Sequence, residues 1–255
     1  MIVIKSQHEI DVMRKAGEIT ALAFEKIKEA ISPGITTGEI DRLVEEYIRS
    51  QGAIPSFKGY AGIPGAIRFP ASICASINNE VVHGIPGSRR LNDGDIISID
   101  IGVFFNGYHG DAARTYAVGK ISERAKKLIQ VTKESFFEGI KFAVEGKRIA
   151  DISGAIQKHV EKNNFSVVRD YVGHGIGREM HEAPQVPNYR TRERGPRLQK
   201  GMTLAIEPMV NEGGYQVRIL DNKWTVVTAD GSLSAHYENT IVITDDQPKI
   251  LTIIE

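Results

Sequence analysis

Two spacings of apolar residues alternate along this chain of 255 residues. From Ser6 to about Ile31 the apolar positions follow the spacing of a helix face, Ser6 and Glu9 are placed as a capping box, and "SPGIT" stops the run. A second helix is predicted from about Gly38 to Ser50. After a Gly- and Pro-rich loop, Gly59 to Pro70, the spacing changes to that of strands in "DIISIDIGVFF" and "YHGDAARTYAV". Between them stands Asn106-Gly107, the strongest short hairpin signal, because both residues tolerate the positive φ of a two-residue turn. Helical spacing returns at about Glu123 to Val144 and Ile149 to Lys162, and further strands follow.

This order of elements occurs twice, and residues recur within it. Thr20, Phe24, Gly34 and Ile40 reappear at one constant offset as Thr132, Phe136, Gly146 and Ile152. "HGIP" at His83 is answered by "HGIG" at His174, "RLNDGDIISID" ending at Asp100 by "RLQKGMTLAIE" ending at Glu207, and "HGD" ending at Asp111 by "HYE" ending at Glu238. The offsets drift between these pieces, as loops of unequal length cause, but their order is kept. An internal duplication is therefore expected, roughly 6–118 and 122–244, within one α/β unit of α+β type spanning 1–255. Each half should contribute two helices and a β-hairpin.

The repeat concentrates acids where apolar residues are expected. A two-residue turn at Asn106-Gly107 sets Phe105 opposite Tyr108 and Asp100 opposite Ala113, which puts Asp111 on the same face as Asp100 and diagonal to it. Diagonal Cβ atoms lie about 7–8 Å apart or less, so both carboxylates can reach one ion. The duplication makes Glu207 and Glu238 the equivalent pair. Four converging carboxylates repel one another unless they share protons or bind cations, and two divalent cations would balance four charges. His174, between two glycines in "VGHGIG", has room to serve as the nitrogen ligand. Oxygen donors with one imidazole suit Mn, Fe(II), Co or Zn, and the sequence does not choose among them.

Composition narrows the class of partner. Lys and Arg total 32 and Asp and Glu 32, so no net field favours nucleic acid or an anionic membrane. Cys74 is the only cysteine, which rules out an internal disulfide framework and fits a reducing compartment. No run approaches the roughly 20 apolar residues of a membrane span. A cytoplasmic protein is expected.

The segments "EVVHGIP", "IDIGVFFNGYHGDAART", "YVGHGIGREMHEAPQVPNY", "GMTLAIEPM" and "LSAHYENTIVI" resemble those of the type I methionine aminopeptidases, over essentially the whole length. The resemblance implies the pita-bread fold, two related α/β halves around a dinuclear metal site, and removal of initiator methionine. It implies Asp100, Asp111, His174, Glu207 and Glu238 as the ligand set, with Asp111 and Glu238 shared between two divalent ions, Asp100 completing one and His174 with Glu207 the other. It implies that His83 faces the substrate backbone and that His181 donates to the scissile amide oxygen. His8, His109, His159 and His236 are read as structural or exposed, with His109 and His236, each two residues before a ligand, also suited to a supporting shell.

The mechanism expected from these residues is attack by a hydroxide bridging two metals, with Glu207 taking the proton and passing it to the leaving amine. The substrate's free α-amino group on one metal would restrict cutting to the first residue. By position in the family pattern, the resemblance implies Phe69, Cys74, Met180 and Trp224, with Tyr60, as the wall of the methionine pocket, where sulfur and aromatic groups suit a thioether. "GYAGIPGAIRFP" is longer than the usual loop before the pocket strand, and Met180 stands where an aromatic is common. Expected partners are N-terminal methionine peptides and nascent polypeptides with a small second residue. The reading leaves room for transient ribosome contact, and it expects a monomer without nucleic acid or membrane contact.

Rival readings differ in features visible here. Proline-specific peptidases of the same fold carry an additional N-terminal domain, whereas this first helix begins within about ten residues of Met1. Type II methionine aminopeptidases carry a large insertion between the positions of His174 and Glu207, which are close together here. A retired scaffold acting as a binding protein should have lost ligands or gained a basic tail, and neither is seen. A module that only uses ions structurally would hold them saturated and hydrolyse nothing.

Overall fold

The computed structural model describes residues 1–61 and 65–254, so part of the Gly- and Pro-rich loop read at Gly59 to Pro70 lies outside the described residues. Four helices form where the spacing predicts them: α1 (Gln7–Lys28), α2 (Thr37–Ser50), α3 (Glu123–Ile140) and α4 (Ile149–Lys162). Ser6 and Glu9 close a capping box on α1, and Thr36 and Glu39 another on α2. Each spends a carboxylate and a hydroxyl on backbone N–H groups that a helix start leaves unpaired. α1 and α3 end a few residues before the expected Ile31 and Val144.

The strands that matter are β1 (Ile73–Ile77), β2 (Ile96–Phe105), β3 (Tyr108–Ala117), β4 (Gly173–Gly175), β5 (Thr203–Ile206), β6 (Ser234–His236) and β7 (Asn239–Val242). Asn106 and Gly107 take φ of 46° and 89°. The resulting two-residue turn pairs Phe105 with Tyr108 and Asp100 with Ala113 along the whole hairpin. β1 joins the other side of β2, with Cys74 beside Asp100.

The second half is built differently in one respect. β5 and β7 pair antiparallel, from Thr203 with Val242 to Ile206 with Asn239, and β4 lies on the far side of β5 with His174 beside Ala205. No tight turn joins β5 to β7, however. The chain makes an excursion through Met209–Asn211, Val217–Ile219, Val226–Thr228 and β6 before it returns. The expected second hairpin is thus an antiparallel pair whose register no turn dictates.

Alternation along the strands separates two faces. One carries Ile97, Ile99, Ile101 and Val103, packed with Ile19, Phe24 and Ile27 of α1 and Ile40, Val44 and Ile48 of α2. In the other half Leu204, Ile206 and Ile241 pack with Leu128, Phe136, Ile152 and Ile156 of α3 and α4. The helices therefore cover one face of each half, and the positions between these apolar residues point away from the helices.

The two halves meet along β3. Ala113 and Glu238 exchange both backbone hydrogen bonds, at 3.4 and 3.0 Å. Two residues away on either side, threonine hydroxyls replace the next backbone pairs. Thr240 Oγ1 accepts from Asp111 N at 3.0 Å and donates to Asp111 O at 2.9 Å, and Thr115 Oγ1 accepts from His236 N and donates to His236 O, both at 2.9 Å. The inserted hydroxyls satisfy the backbone while the strands diverge. Among the described residues no helix is long and apolar enough to cross a membrane.

Replacing Thr240 by Val keeps the side-chain shape but leaves the buried N–H and C=O of Asp111 unpaired. Unpaired buried groups cost roughly 1–3 kcal/mol each, so Thr240→Val should lower unfolding free energy in urea by about 2 kcal/mol or more; an unchanged midpoint would show that the seam does not depend on this hydroxyl.

Candidate metal centre and its pocket

Two adjacent rows cross the uncovered face of the joined strands. One runs Cys74, Asp100, Ala113, Glu238, and continuing the register of β5 and β7 by one step sets Glu207 next. The other runs Gly102, Asp111, Thr240, Ala205, His174. All five residues singled out as ligands thus stand on neighbouring rows of one face. The positions between them are Gly, Ala and Thr, whose short side chains leave space above the sheet.

The acids are deeply enclosed. Asp111 is 3 % and Glu238 1 % exposed, and Asp100 and Asp111 are in hydrogen-bond contact. Burial pushes Asp100 up to about 7, with Glu207 adding to the rise. Burial, then the charges of Asp100 and Glu207, raises Asp111 well above the usual carboxylate range. Glu238 is raised in the same way, by burial and then by Asp111, Glu207 and Asp100, and Glu207 by burial. This is the signature of anions crowded into a low dielectric.

His174 is held neutral. Burial and then the neighbouring His181 lower His174 to about 3. Its Nδ1 lies 2.8 Å from Gly175 O, a contact in which the ring nitrogen must donate, so in the neutral ring Nε2 carries the lone pair. That Nε2 is 3.4 Å from Glu207 Oε1. The flanking glycines are obligatory: a Cβ on Gly173 would stand 2.4 Å from Ala205 O, and one on Gly175 2.3 Å from Ala183 O.

The donor set fits divalent cations. One ligand atom from each of Asp111, His174 and Glu238 lies within 4.8 Å of the others, and so does one from each of Glu207, His236 and Glu238. Among the described residues, buried Asp100 Oδ1, Asp111 Oδ1 and Glu238 Oε1 have no hydrogen-bond partner. Orphaned oxygens on anions are costly in a protein interior, and cations shared between them would remove the cost.

His236, suited by sequence to a supporting shell, reaches the cluster itself. It is 2 % exposed, and its unpartnered Nε2 is 3.6 Å from Glu207 Oε2 and 4.0 Å from Glu238 Oε2. Its position two residues before Glu238, on the same face, was the available signal.

Beside the acids lies a cavity of about 110 Å³ lined by Phe57, Tyr60, Phe69, Cys74, His83, His181 and Trp224 together with the five metal-ligand candidates. Phe69 meets Trp224 edge-on with ring centres 5.2 Å apart. His83 has a φ of 58°, unusual for a residue with a Cβ, and its ring lies edge-on to Tyr171 and Trp224 at 5.6 and 6.1 Å. Gly84 follows it against β1, where a Cβ would be 2.2 Å from Ala75 O. Such a conformation persists only where the surroundings enforce it. The His181 ring packs against that of His174, tilted by 52° with ring centres 4.2 Å apart.

Met180 differs from its expected place. It is buried with Phe57, Phe69 and Cys74 and its Cε approaches Gly102, but it does not line the cavity and so backs the wall. Phe57 takes a lining position that no pattern in the sequence marked.

Residues 11–245 match metallopeptidase family M24. The chain is 59 % identical to a methionine aminopeptidase of Clostridium perfringens, over all of both chains, and 56 % identical to methionine aminopeptidase 1 of Bacillus subtilis, over 99 % of each. A crystal structure of methionine aminopeptidase from Thermotoga maritima superposes with a TM-score of 0.95 at 47 % identity, covering all of both chains.

Because the folded acids hold protons to a higher pH than unfolded ones, they stabilise the metal-free fold most below about 4, and Asp100 loses this contribution as pH rises through about 7. Cations favour the ionised forms, so metal binding at pH 6 should release protons, fewer as pH rises past 7. Calorimetric titration with Mn in buffers of different ionisation enthalpy measures the release; identical heats in all buffers would contradict the proton-sharing cluster.

Proposed function

Because the chain belongs to metallopeptidase family M24 and, within it, to the methionine aminopeptidases of pita-bread fold, we propose that it removes N-terminal methionine at the acid and imidazole cluster between its two halves. The observation that carries the reading is the pair of rows that bring Asp100, Asp111, His174, Glu207 and Glu238 to one face. We assign these five as the residues that would hold the divalent cations.

Bound there, such cations would supply Lewis-acid polarisation of the scissile carbonyl and would acidify water. The residues around them account for the rest. Glu207, whose carboxyl burial raises above the usual range, accepts at Oε1 or Oε2 the proton that the attacking water gives up and delivers it to the leaving amine. His181 donates a hydrogen bond to the carbonyl oxygen as it gains charge, and His83 faces the substrate backbone at the scissile amide. Both rings are held before substrate arrives, His181 by tilted contact with His174 and His83 by edge-on contacts and its left-handed backbone, which is the condition for effective charge stabilisation. Phe69, Cys74, Trp224 and Tyr60, with Phe57, receive the methionine side chain, and Met180 supports them from behind. A thioether is well matched to aromatic and sulfur neighbours.

On this reading residues 1–255 act as one catalytic unit built from related halves, on peptides and nascent polypeptides whose second residue is small. Balanced charge supports a protein that binds neither nucleic acid nor an anionic membrane, and a single cysteine fits the cytoplasm; the reading keeps a monomer with room for a transient ribosome contact. Mn, Fe(II), Co and Zn all suit the donor set.

With Mn or Co added, the protein should release Met from Met-Ala-Ser, and a chelator should abolish the release; cleavage of Xaa-Pro peptides alone would transfer the site to proline-specific chemistry. Glu207→Gln should retain at least one cation by elemental analysis and lose about 100-fold or more in kcat. Unchanged turnover in that variant would remove Glu207 as the base.

A further inference from the structure

His181 is held from two sides. Its ring lies against His174 on the side of the acid cluster. On the other side its Nδ1 is 2.6 Å from Tyr60 Oη, with the two rings tilted by 47° and 5.3 Å apart. Among the described residues no hydrogen bond occupies its Nε2. Tyr60 is itself anchored: its N–H donates to Phe57 O at 2.9 Å, its carbonyl accepts from Phe69 N at 2.8 Å, and Gly59 N donates to Phe69 O at 2.8 Å. The phenol therefore stands on a short clip of backbone that also carries two walls of the methionine pocket.

The chemistry of this pair fixes a proton. The direction of this contact depends on the tautomer, and the more acidic phenol facing the more basic imidazole nitrogen favours Oη–H donating to Nδ1. A neutral ring that accepts at Nδ1 has its only N–H at Nε2. We propose that Tyr60 is a positioning residue for the hydrolysis: its phenol locks the His181 ring and tautomer so that Nε2–H is presented to the scissile carbonyl. The inference rests on the reading of His181 as the donor to that oxygen. Burial raises the phenol pKa, in keeping with a hydroxyl that retains its proton. Without the phenol, the ring distributes its proton between both nitrogens and turns more freely, and only one arrangement serves the reaction. A donor used as charge develops affects turnover more than substrate affinity. Tyr60 thereby ties the wall that receives the side chain to the group that polarises the bond.

The test compares Tyr60→Phe, which removes only the hydroxyl, with His181→Ala and the double variant in the zinc-loaded enzyme. Tyr60→Phe should lower kcat about tenfold and leave KM within about twofold, and the same change made in His181→Ala should leave kcat unaltered, since an effect carried by another residue disappears with it. In protein labelled with ¹⁵N-histidine, the His181 ring should give the signals of a pure Nε2–H tautomer in the parent and of a tautomer mixture in Tyr60→Phe. An equal loss in both backgrounds, or an unaltered tautomer in Tyr60→Phe, would overturn the positioning role while leaving His181 as donor. Full turnover in His181→Ala would instead remove the donor role itself, and the inference with it.

Discussion

Four carboxylates of like charge on one sheet face, two of them in direct contact, constrain everything else in this structure. In a low-dielectric interior such a group stays ionised only beside compensating cations and otherwise takes up protons. The fold prepares this crowding by geometry alone. Two rows of one face intersperse the acids with Gly102, Ala113, Thr240 and Ala205, so the charged groups rise from a floor of small residues. The opposite face is packed with branched apolar side chains under four helices, and that packing supplies the stability against which the unfavourable face is held.

The seam between the halves is the point at which the crowding is assembled. Asp111 and Glu238 belong to different halves, and the hydrogen bonds of Ala113 with Glu238, flanked by the hydroxyls of Thr115 and Thr240, set them side by side. Arg114 reinforces the seam from the helix face, donating to the carbonyl oxygens of Ala113 and Glu238 and to Asn239 Oδ1. Its guanidinium lies over the rings of Phe24 and Tyr237, one from each half. A cation directly behind Glu238 stabilises that residue's ionised form, so the same side chain both joins the halves and eases the buried charge.

Around this fixed centre the pocket is assembled from distant segments. Trp224 comes from the excursion between β5 and β7, Phe69 and Tyr60 from the stretch before β1, and His181 from the turn after β4. Each is positioned by contacts with another segment: Phe69 by Trp224, His181 by Tyr60 and His174, His83 by Tyr171. The cavity wall and the orientation of its polar groups are therefore mechanically connected, while the rows of acids beneath them belong to the sheet.

What was legible in the sequence is what short-range rules control. The helices followed from capping residues and spacing, and the register of Asp100 against Ala113 followed from the two-residue turn at Asn106 and Gly107, because a turn of fixed length leaves a strand pair no freedom. The pairing of Glu207 with Glu238 carried no such turn, and only the repeat pointed to it. Which rings meet, that Met180 stands behind the cavity wall while Phe57 lines it, that His236 aims at Glu207, and that Tyr60 holds His181 were decided by the tertiary structure alone. Those contacts join residues far apart in the chain, where no local periodicity ties one position to another, and only the packed halves fix their distance and direction.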